Sequence, residues 1–387
     1  MSDAPRFNRA CIVDLDDPWT ESHGGTLRTR LFIDALCECG FETHVVYLRS
    51  PQSITPSVSA QLHPIDRTTL GGRGWTVPVR KLKKHFLPMP TMRGGMLPEV
   101  QAAVQACDPD LIVVSQIRAA PYAYAVQGAN LWLDQADVWS AFLDQEIRAR
   151  RALARSSARM QQAHIRRHEV SWSGRATVVT AAGYADTERL SRMSGRRVEW
   201  LPTVVPGGHA ARTPGIPPTA GFLANFAYWP NRDAFAMLQK DWAPVLRAHG
   251  WRVIVAGLHS ESLEPTPGIE VMGEVDDLRT FYSEIDVALA PMRLGGGIKV
   301  KVVEALLWGR PVVGTAAAVD GLPPDISHSI PTVNRPTELP AALAAAARDV
   351  ECIGFARDRF SESGFKSKVA ELVNLAIPGD RNDALVD

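Results

Sequence analysis

The sequence predicts an α/β protein made of two doubly wound, Rossmann-like domains with parallel sheets facing a central cleft. Three observations lead there. Short apolar runs alternate with stretches of helical spacing, the pattern of βαβ units whose strands are buried on both faces. The alternation occurs in both halves of the chain. And the 387 residues exceed one ordinary domain, with a proline- and glycine-rich stretch at 201–220 (LPTVVPGGHAARTPGIPPTA) where no regular element fits. The expected division is a first domain over 1–205, a linker over 206–220, a second domain over 221–360, and a C-terminal helix that crosses back to the first domain, with a tail, over 361–387.

In the first half, residues 10–15 (ACIVDL) predict a strand and 27–38 a helix, which Gly40 stops. Residues 44–48 (HVVYL), 111–116 (LIVVSQ), 130–134 (NLWLD) and 176–181 (ATVVTA) predict the following strands. In the second half the strands are expected at 221–226 (GFLANF), 252–256 (RVIVA), 269–272 (IEVM), 285–290 (IDVALA) and 311–314 (PVVG). Helices are expected at 233–248, 277–283, 298–308 and 339–350. Pro244 is expected to kink or divide the first of these, because it lacks the amide and crowds the preceding turn. Ligands of such sheets bind beyond the carboxyl ends of the strands, so a crevice there is the default site.

Composition narrows the function classes. Lys plus Arg equals Asp plus Glu at 42 each, which excludes a uniformly basic nucleic-acid coat. The charge is uneven: residues 1–205 carry 25 basic and 20 acidic side chains, and 206–387 carry 17 and 22. No run approaches the ~20 apolar residues that span a bilayer, and the start, MSDAPRFNRA, lacks the apolar core of a secretory signal. Cys11, Cys37, Cys39, Cys107 and Cys352 show neither a CxxC pair nor Cys/His zinc spacing. They read as reduced thiols of a cytoplasmic protein, and no metal site is expected. Two segments stand apart: a basic, Pro/Gly-rich stretch at 71–98, and a helical stretch at 146–169 with seven arginines. The latter has mainly alanine on its apolar side, which fits a solvated helix better than a membrane-binding one.

The chemistry-bearing stretch is 285–322 (IDVALAPMRLGGGIKVKVVEALLWGRPVVGTAAAVDGL): strand, Gly-rich turn, helix, Gly-Arg-Pro break, strand. Gly295, Gly296 and Gly297 let the backbone approach a ligand closely. The helix that follows offers unpaired N–H groups and a positive dipole end to a phosphate. Lys299 and Lys301 add charge, and Glu304 lies one turn beyond Lys301, placed to accept hydrogen bonds from a ribose diol. Taken singly, the same pieces also fit an ordinary βα turn with an i,i+3 Lys–Glu surface pair.

Taken together, GGGIKVKVVEALLWGRPVV closely resembles the donor-binding segment of the family 4 (group 1) retaining glycosyltransferases of the GT-B fold. The resemblance extends to 221–238 (GFLANFAYWPNRDAFAML), 251–258 (WRVIVAGL) and 271–282 (VMGEVDDLRTFY), and to the Gly-Gly loop and helix at 23–36 (HGGTLRTRLFIDAL). Residues 356–372 resemble the terminal helices that return to the first domain in that fold.

The resemblance implies that the second domain binds a nucleoside diphosphate sugar and the first presents an acceptor. Transfer would retain anomeric configuration. No divalent metal would be needed, since lysine, arginine and helix N-termini neutralise the leaving diphosphate; the chain has no Asp-x-Asp motif in a suitable loop, Asp14 and Asp16 closing a first-domain strand. Carried onto this chain, Lys301 meets the diphosphate as the principal catalytic group, with Lys299 and Arg293 nearby and Gly296 and Gly297 beneath the phosphates. Gly24 and Gly25 cover the diphosphate from the other domain, Glu304 holds the ribose, and the main chain at Glu274 and Val275 holds the base. Asn231 is expected to cap its helix. In the first domain, Asp134 or Asp137 either receives the acceptor proton or caps the next helix, and His23, Gln116 and Arg118 line the acceptor pocket. Many relatives carry a glutamate eight residues before the ribose glutamate, where this chain has Gly296, so the transferred sugar is not readable.

The partners expected are therefore a nucleotide-sugar donor and an acceptor, with no nucleic acid and with peripheral membrane contact through the basic first domain as an open alternative. Competing readings are a related catalyst on the same fold, such as an epimerase or a ring-coupling enzyme, and a non-catalytic nucleotide-sugar binder. A nicotinamide dehydrogenase would need G-x-G-x-x-G after the first strand, and ACIVDLDDPWTESHGG lacks it.

Overall fold

The computed structural model describes residues 8–19, 24–50, 57–66, 97–136, 138–149, 152–211, 217–293, 298–348 and 351–377. His23, Asp137, Gly296, Gly297 and nearly all of the 71–98 stretch lie outside them. The chain divides into two units, one formed by 1–204 with 362–387 and one by 205–361.

The first unit holds strands β1 (Arg9–Asp14), β2 (Glu42–Arg49), β3 (Gln61–Asp66), β4 (Leu111–Val114), β5 (Asn130–Gln135), β6 (Val178–Ala181) and β7 (Glu199–Trp200). They form one parallel sheet in the order β3-β2-β1-β4-β5-β6-β7. Helices α1 (Gly24–Glu38), α2 (Pro98–Cys107), α3 (Trp139–Ala149), α4 (Ala152–Ser173) and α5 (Tyr184–Ser194) belong to this unit. Strands β3 and β7 and helices α2 and α5 were not foreseen. β3 is an edge strand with no fully buried residue and a central proline, Pro64, so it carries little of the apolar signal that marks an inner strand.

Alternation along β1 explains the layers. Cys11 and Val13 enter one core with Val46, Val104, Ile112 and Val114. Ala10 and Ile12 enter the opposite core with Phe32, Tyr47 and Trp132. Every inner strand is therefore apolar on both faces, as a doubly covered parallel sheet requires.

The second unit holds β8 (Thr219–Leu223), β9 (Arg252–Ala256), β10 (Ile269–Gly273), β11 (Val287–Ala290) and β12 (Val312–Gly314), parallel and ordered β10-β9-β8-β11-β12. Its helices include α6 (Trp229–Met237), α7 (Ala243–Ala248), α8 (Leu278–Glu284) and α9 (Val300–Leu307). A π-helical turn at Leu238–Trp242 separates α6 from α7, so the helix expected at 233–248 is divided just before Pro244. α6 opens at Trp229 with Pro230 in its first turn, earlier than the Asp233 start expected, because proline costs little in a first turn whose amides lack partners anyway.

The final helix, α10 in this numbering (Glu362–Ala376), belongs to the first unit. Its Phe365, Val369, Leu372 and Ala376 are buried in the core beside α1, Phe365 meets Phe32 edge-to-face at 5.3 Å, and Lys366 reaches Glu38 at 2.7 Å. Among the described residues no helix is long and apolar enough to cross a membrane. The arginine-rich stretch is covered by α3 and α4, with residues 150 and 151 outside the description.

In both sheets the strand order reverses beside the first strand, at β1/β4 and at β8/β11. Those switch points open a crevice at the carboxyl ends of the strands. In the second unit a glycine secures that edge. Gly257 follows β9 with φ +119°, and a Cβ there would lie 2.2 Å from the Ala224 carbonyl oxygen. Gly257→Ala is expected to destabilise the protein by at least about 2 kcal/mol, combining backbone strain with a main-chain clash. Urea unfolding checks this, and superimposable wild-type and variant curves would contradict it.

Candidate active site

At the second switch point the side chains follow one face of α9. Its N-terminus begins after Lys299, which occupies the N-cap position and is buried. Lys301, Glu304 and Trp308 recur at helical spacing and meet inward-facing groups of β8, α6 and α8. Lys301 Nζ donates to Asn231 Oδ1 at 2.6 Å and sits 5.0 Å above the Phe222 ring. Asn231 Nδ2 in turn donates to the Asn225 carbonyl at 2.6 Å. Glu304 Oε1 accepts from the Tyr282 hydroxyl at 2.7 Å, and the Tyr282 ring stacks on Trp308 at 5.5 Å with planes 12° apart.

Burial dominates the electrostatics. It pushes the Lys301 amine down to about 7; Glu304 opposes the shift and Lys299 adds to it. Burial also raises the Glu304 carboxyl, against the Tyr282 hydrogen bond and the Lys301 charge. Tyr282 is raised well above its ordinary range by burial and then by Glu304. The outcome is a lysine that takes up a proton readily when an anion arrives, beside an acceptor already oriented by a phenol. Perturbed groups of this kind at a switch point are what a phosphate and a ribose would need.

One expectation is corrected here. Asn231 does not cap its helix: Tyr228 occupies the N-cap position, and Asn231 lies buried two residues into α6 beyond Trp229, turned toward Lys301. Arg293 is paired with Asp233 through contacts of 2.7 and 3.1 Å, so in this state its guanidinium faces a carboxylate. Arg232 donates to the Phe226 and Ala227 carbonyls at 2.8 and 3.0 Å. Glu274 is exposed and Val275 half-buried in the loop after β10, and Asp277 caps α8 by accepting from the Arg279 amide at 2.9 Å. An open groove of about 750 Å³ lies along β10, lined by Ser260, Leu263, Thr266, Ile269, Val271 and Gly273; none of Asn231, Lys301 and Glu304 lines it.

In the first unit, the switch point collects Asp14, Asp16, Gln116 and Arg118. Asp16 Oδ2 accepts from Gln116 Nε2 at 3.1 Å and from Arg118 Nη2. Asp14 is buried, accepts from Thr29 Oγ1 at 2.7 Å and from the Asp16 amide at 2.9 Å, and burial pushes it up to about 6 in spite of those bonds. Gly24 and Gly25 open α1, and Gly25 O accepts from Thr29 at 3.3 Å. Gln116 and Arg118 therefore meet as neighbours of the Asp16 carboxylate, for which the sequence suggested a structural or acceptor role.

Asp134 is a further correction. It is fully buried inside β5, where Arg28 Nε and Nη2 donate to its two oxygens at 2.5 and 2.6 Å. Thr180 Oγ1 donates at 2.6 Å and itself accepts from Trp132 Nε1 at 3.0 Å. The carboxylate is spent inside the core and faces no open space. Arg28 lies 106 positions away in sequence, so no local pattern announces the pair. A second buried acid went unnoticed: Glu169 accepts from the Ser140 hydroxyl at 2.5 Å and amide at 3.1 Å, and burial raises it to about 7. Tyr282, Phe222 and Trp308 were also missed as site residues; only the Glu304–Trp308 spacing along one helix pointed to one of them.

Residues 217–350 match the family described as Glycosyl transferases group 1. The match covers just over a third of the chain and most of the second unit. No curated protein matches the chain by sequence. Among solved structures, sucrose-phosphate synthase from Thermosynechococcus elongatus is similar with a TM-score of 0.64 at 13% identity, over 95% of this chain and 98% of that one. HepE of Anabaena in complex with UDP has a TM-score of 0.61 at 14% identity, over 95% and 99%. The lipopolysaccharide outer core galactosyltransferase WaaB, in its apo form, has 0.55 at 10%, over 95% and 98%. At these identities the likeness concerns the fold: two Rossmann-like units of parallel sheet, as in the GT-B glycosyltransferases.

Proposed function

We propose that the protein moves a sugar from a nucleoside diphosphate sugar to an acceptor hydroxyl, retaining anomeric configuration and using no divalent metal in the step. The observation that carries the reading is the Lys301–Glu304 pair on α9 at the β8/β11 switch point, clasped by Asn231 and Tyr282. The glycosyltransferase group 1 domain matched over 217–350 supports it.

In this reading Lys301 leaves Asn231, becomes the ammonium partner of the diphosphate and stabilises the negative charge that grows as the glycosidic bond breaks. Fixed charge of this kind does more in a desolvated site than in water. The N-terminal amides of α9 contribute in the same sense. Glu304, kept in place by Tyr282, accepts the ribose hydroxyls. The loop at Glu274 and Val275 borders the base. The acceptor is taken up by the first unit, where the Asp16–Gln116–Arg118 group offers one carboxylate, one amide and one guanidinium to hydroxyl groups. Cytoplasmic location and any peripheral membrane contact belong to the same proposal.

Calorimetric titration with UDP, GDP, dTDP and ADP in the presence of EDTA tests the reading, followed by the matching sugar nucleotides. UDP comes first because a structural neighbour is described in complex with it. One diphosphate is expected to bind without metal, and its sugar nucleotide to be turned over with an acceptor. Binding that appears only with added Mg²⁺ would refute the metal-free step. No binding at all would refute the donor assignment, and binding without turnover would favour a non-catalytic role.

A further inference from the structure

A second constellation lies on the first unit, at the opposite end of the strands from the switch point. Cys11, His44 and His63 are each the third residue of their strand, β1, β2 and β3. Cys11 and His44 are direct partners in the β1–β2 register, and His63 lies opposite Val46, two residues further along β2. Their even spacing puts them on the face that α2 covers. There α2 contributes Cys107, its last residue. One ligand atom from each of His44, His63 and Cys107 lies within 4.8 Å of the other two, and among the described residues no other such group of His, Cys, Asp and Glu occurs.

We propose that His44, His63 and Cys107 form a binding site for a soft divalent cation, with Zn²⁺ the best match. The site is independent of the transferase reading and distinct from its metal-free step.

Three features of the geometry support this. His44 Nδ1 and His63 Nε2 are 3.0 Å apart with a single proton to share. Two nitrogens on a tetrahedral zinc stand about 3.3 Å apart, given Zn–N bonds of about 2.0–2.1 Å, so the pair needs only a few tenths of an ångström of opening. Next, the far nitrogen, His44 Nε2, is buried without a hydrogen-bond partner, while Glu42 Oε1 waits 3.5 Å away. Coordination through Nδ1 moves the ring proton to Nε2 and directs it at that carboxylate, the arrangement that orients metal-bound imidazoles. Finally, Cys107 supplies a soft sulfur ligand: its thiol, which donates to the Ala103 carbonyl at 3.1 Å, binds the cation as a thiolate once that proton leaves. A thiolate with two neutral imidazoles is a donor set for zinc rather than for magnesium or calcium. Metal entry releases one proton from any Cys107 still present as thiol; the imidazole protons only change nitrogen. Water completes the tetrahedron. The sequence hides this site because its members come from three separate elements, whereas zinc motifs are recognised by short spacings.

The test uses the full chain, reduced and stripped with chelator, titrated with Co²⁺ as a spectroscopic probe and then with Zn²⁺. One equivalent of Co²⁺ is expected to give the strong visible bands of a tetrahedral centre and a thiolate charge-transfer band in the near ultraviolet, both displaced by Zn²⁺. Cys107→Ser should abolish the charge-transfer band and weaken Zn²⁺ binding on the order of 100-fold, and Glu42→Gln should weaken it about tenfold. Cys39→Ser should leave the spectrum unchanged. Absence of tetrahedral bands in the wild-type protein would overturn the proposal, and needs no variant to fold. Bands that survive in Cys107→Ser would overturn it too. So would oxidative loss of exactly the Cys11 and Cys107 thiols without any metal response, which would make the pair a disulfide former instead.

Discussion

Asp134→Ala is expected to lower the stability of the protein by about 3–5 kcal/mol, the usual consequence of removing one member of a buried ion pair. The physical reason is the guanidinium left behind. Arg28 is fully buried, its Nη1 already lacks a partner, and its remaining neighbours are the faces of Phe365 and Phe32 at 5.5 and 5.9 Å. Those rings attract a cation weakly compared with two charge-assisted hydrogen bonds. Thr180 would also lose its acceptor. The paired replacement Arg28→Met with Asp134→Leu is expected to recover most of the loss, since exchanging both charges for apolar groups removes the desolvation penalty together with the attraction. Urea denaturation of the three variants measures this. If Asp134→Ala unfolds at the wild-type midpoint yet abolishes transfer, the carboxylate belongs to the chemistry and its structural assignment is wrong.

The second large effect concerns Lys301. Its amine titrates at about 7 in the free protein. A bound diphosphate favours the ammonium, so above pH 7 donor binding must take up a proton. The sign follows from linkage: whatever state binds the proton more strongly is weakened as pH rises. Affinity for the diphosphate is therefore expected to fall by about tenfold per pH unit above 7, until the bound lysine itself deprotonates. Calorimetry in two buffers of different ionisation enthalpy should report uptake approaching one proton at alkaline pH. Lys301→Met should bind the diphosphate about 10–100-fold more weakly, the loss of about 1.5–3 kcal/mol expected for a charged hydrogen bond. It should also bind with no proton uptake, while keeping its fold, because a methionine suits the pocket over Phe222. Undiminished proton uptake in that variant would show that another group titrates.

Asp134 and Lys301 also mark where a reading of sequence succeeds and where it stops. Local spacing sets Lys301 and Glu304 three apart on one helix after a Gly-rich turn, while their proposed roles toward diphosphate and ribose come from the family resemblance. Asp134 was placed at a strand end correctly, but its role was misread because its partner Arg28 comes from another helix. Asn231 shows the same limit. Its position near a Pro-containing helix start suggested a cap, yet the lysine that claims its oxygen is 70 residues away. Gln116, Arg118 and Asp16 were each recognised as strand-end residues, and only the β1–β4 pairing brings them onto one carboxylate.

The sequence by itself determined the alternation of strand and helix, the division into two sheet-bearing halves, and the helix that carries Lys301 and Glu304. These depend on apolar periodicity and on turn residues, which act over a few positions. The tertiary structure alone decided which buried charges are paired, which edge strands join the sheet, and which side chains from distant strands share a pocket. Those outcomes depend on parallel strand order, and a parallel crossover joins residues tens of positions apart. The burial that drives Lys301 down and Glu304 up is likewise a property of the neighbours that surround a side chain, and no stretch of its own sequence specifies them.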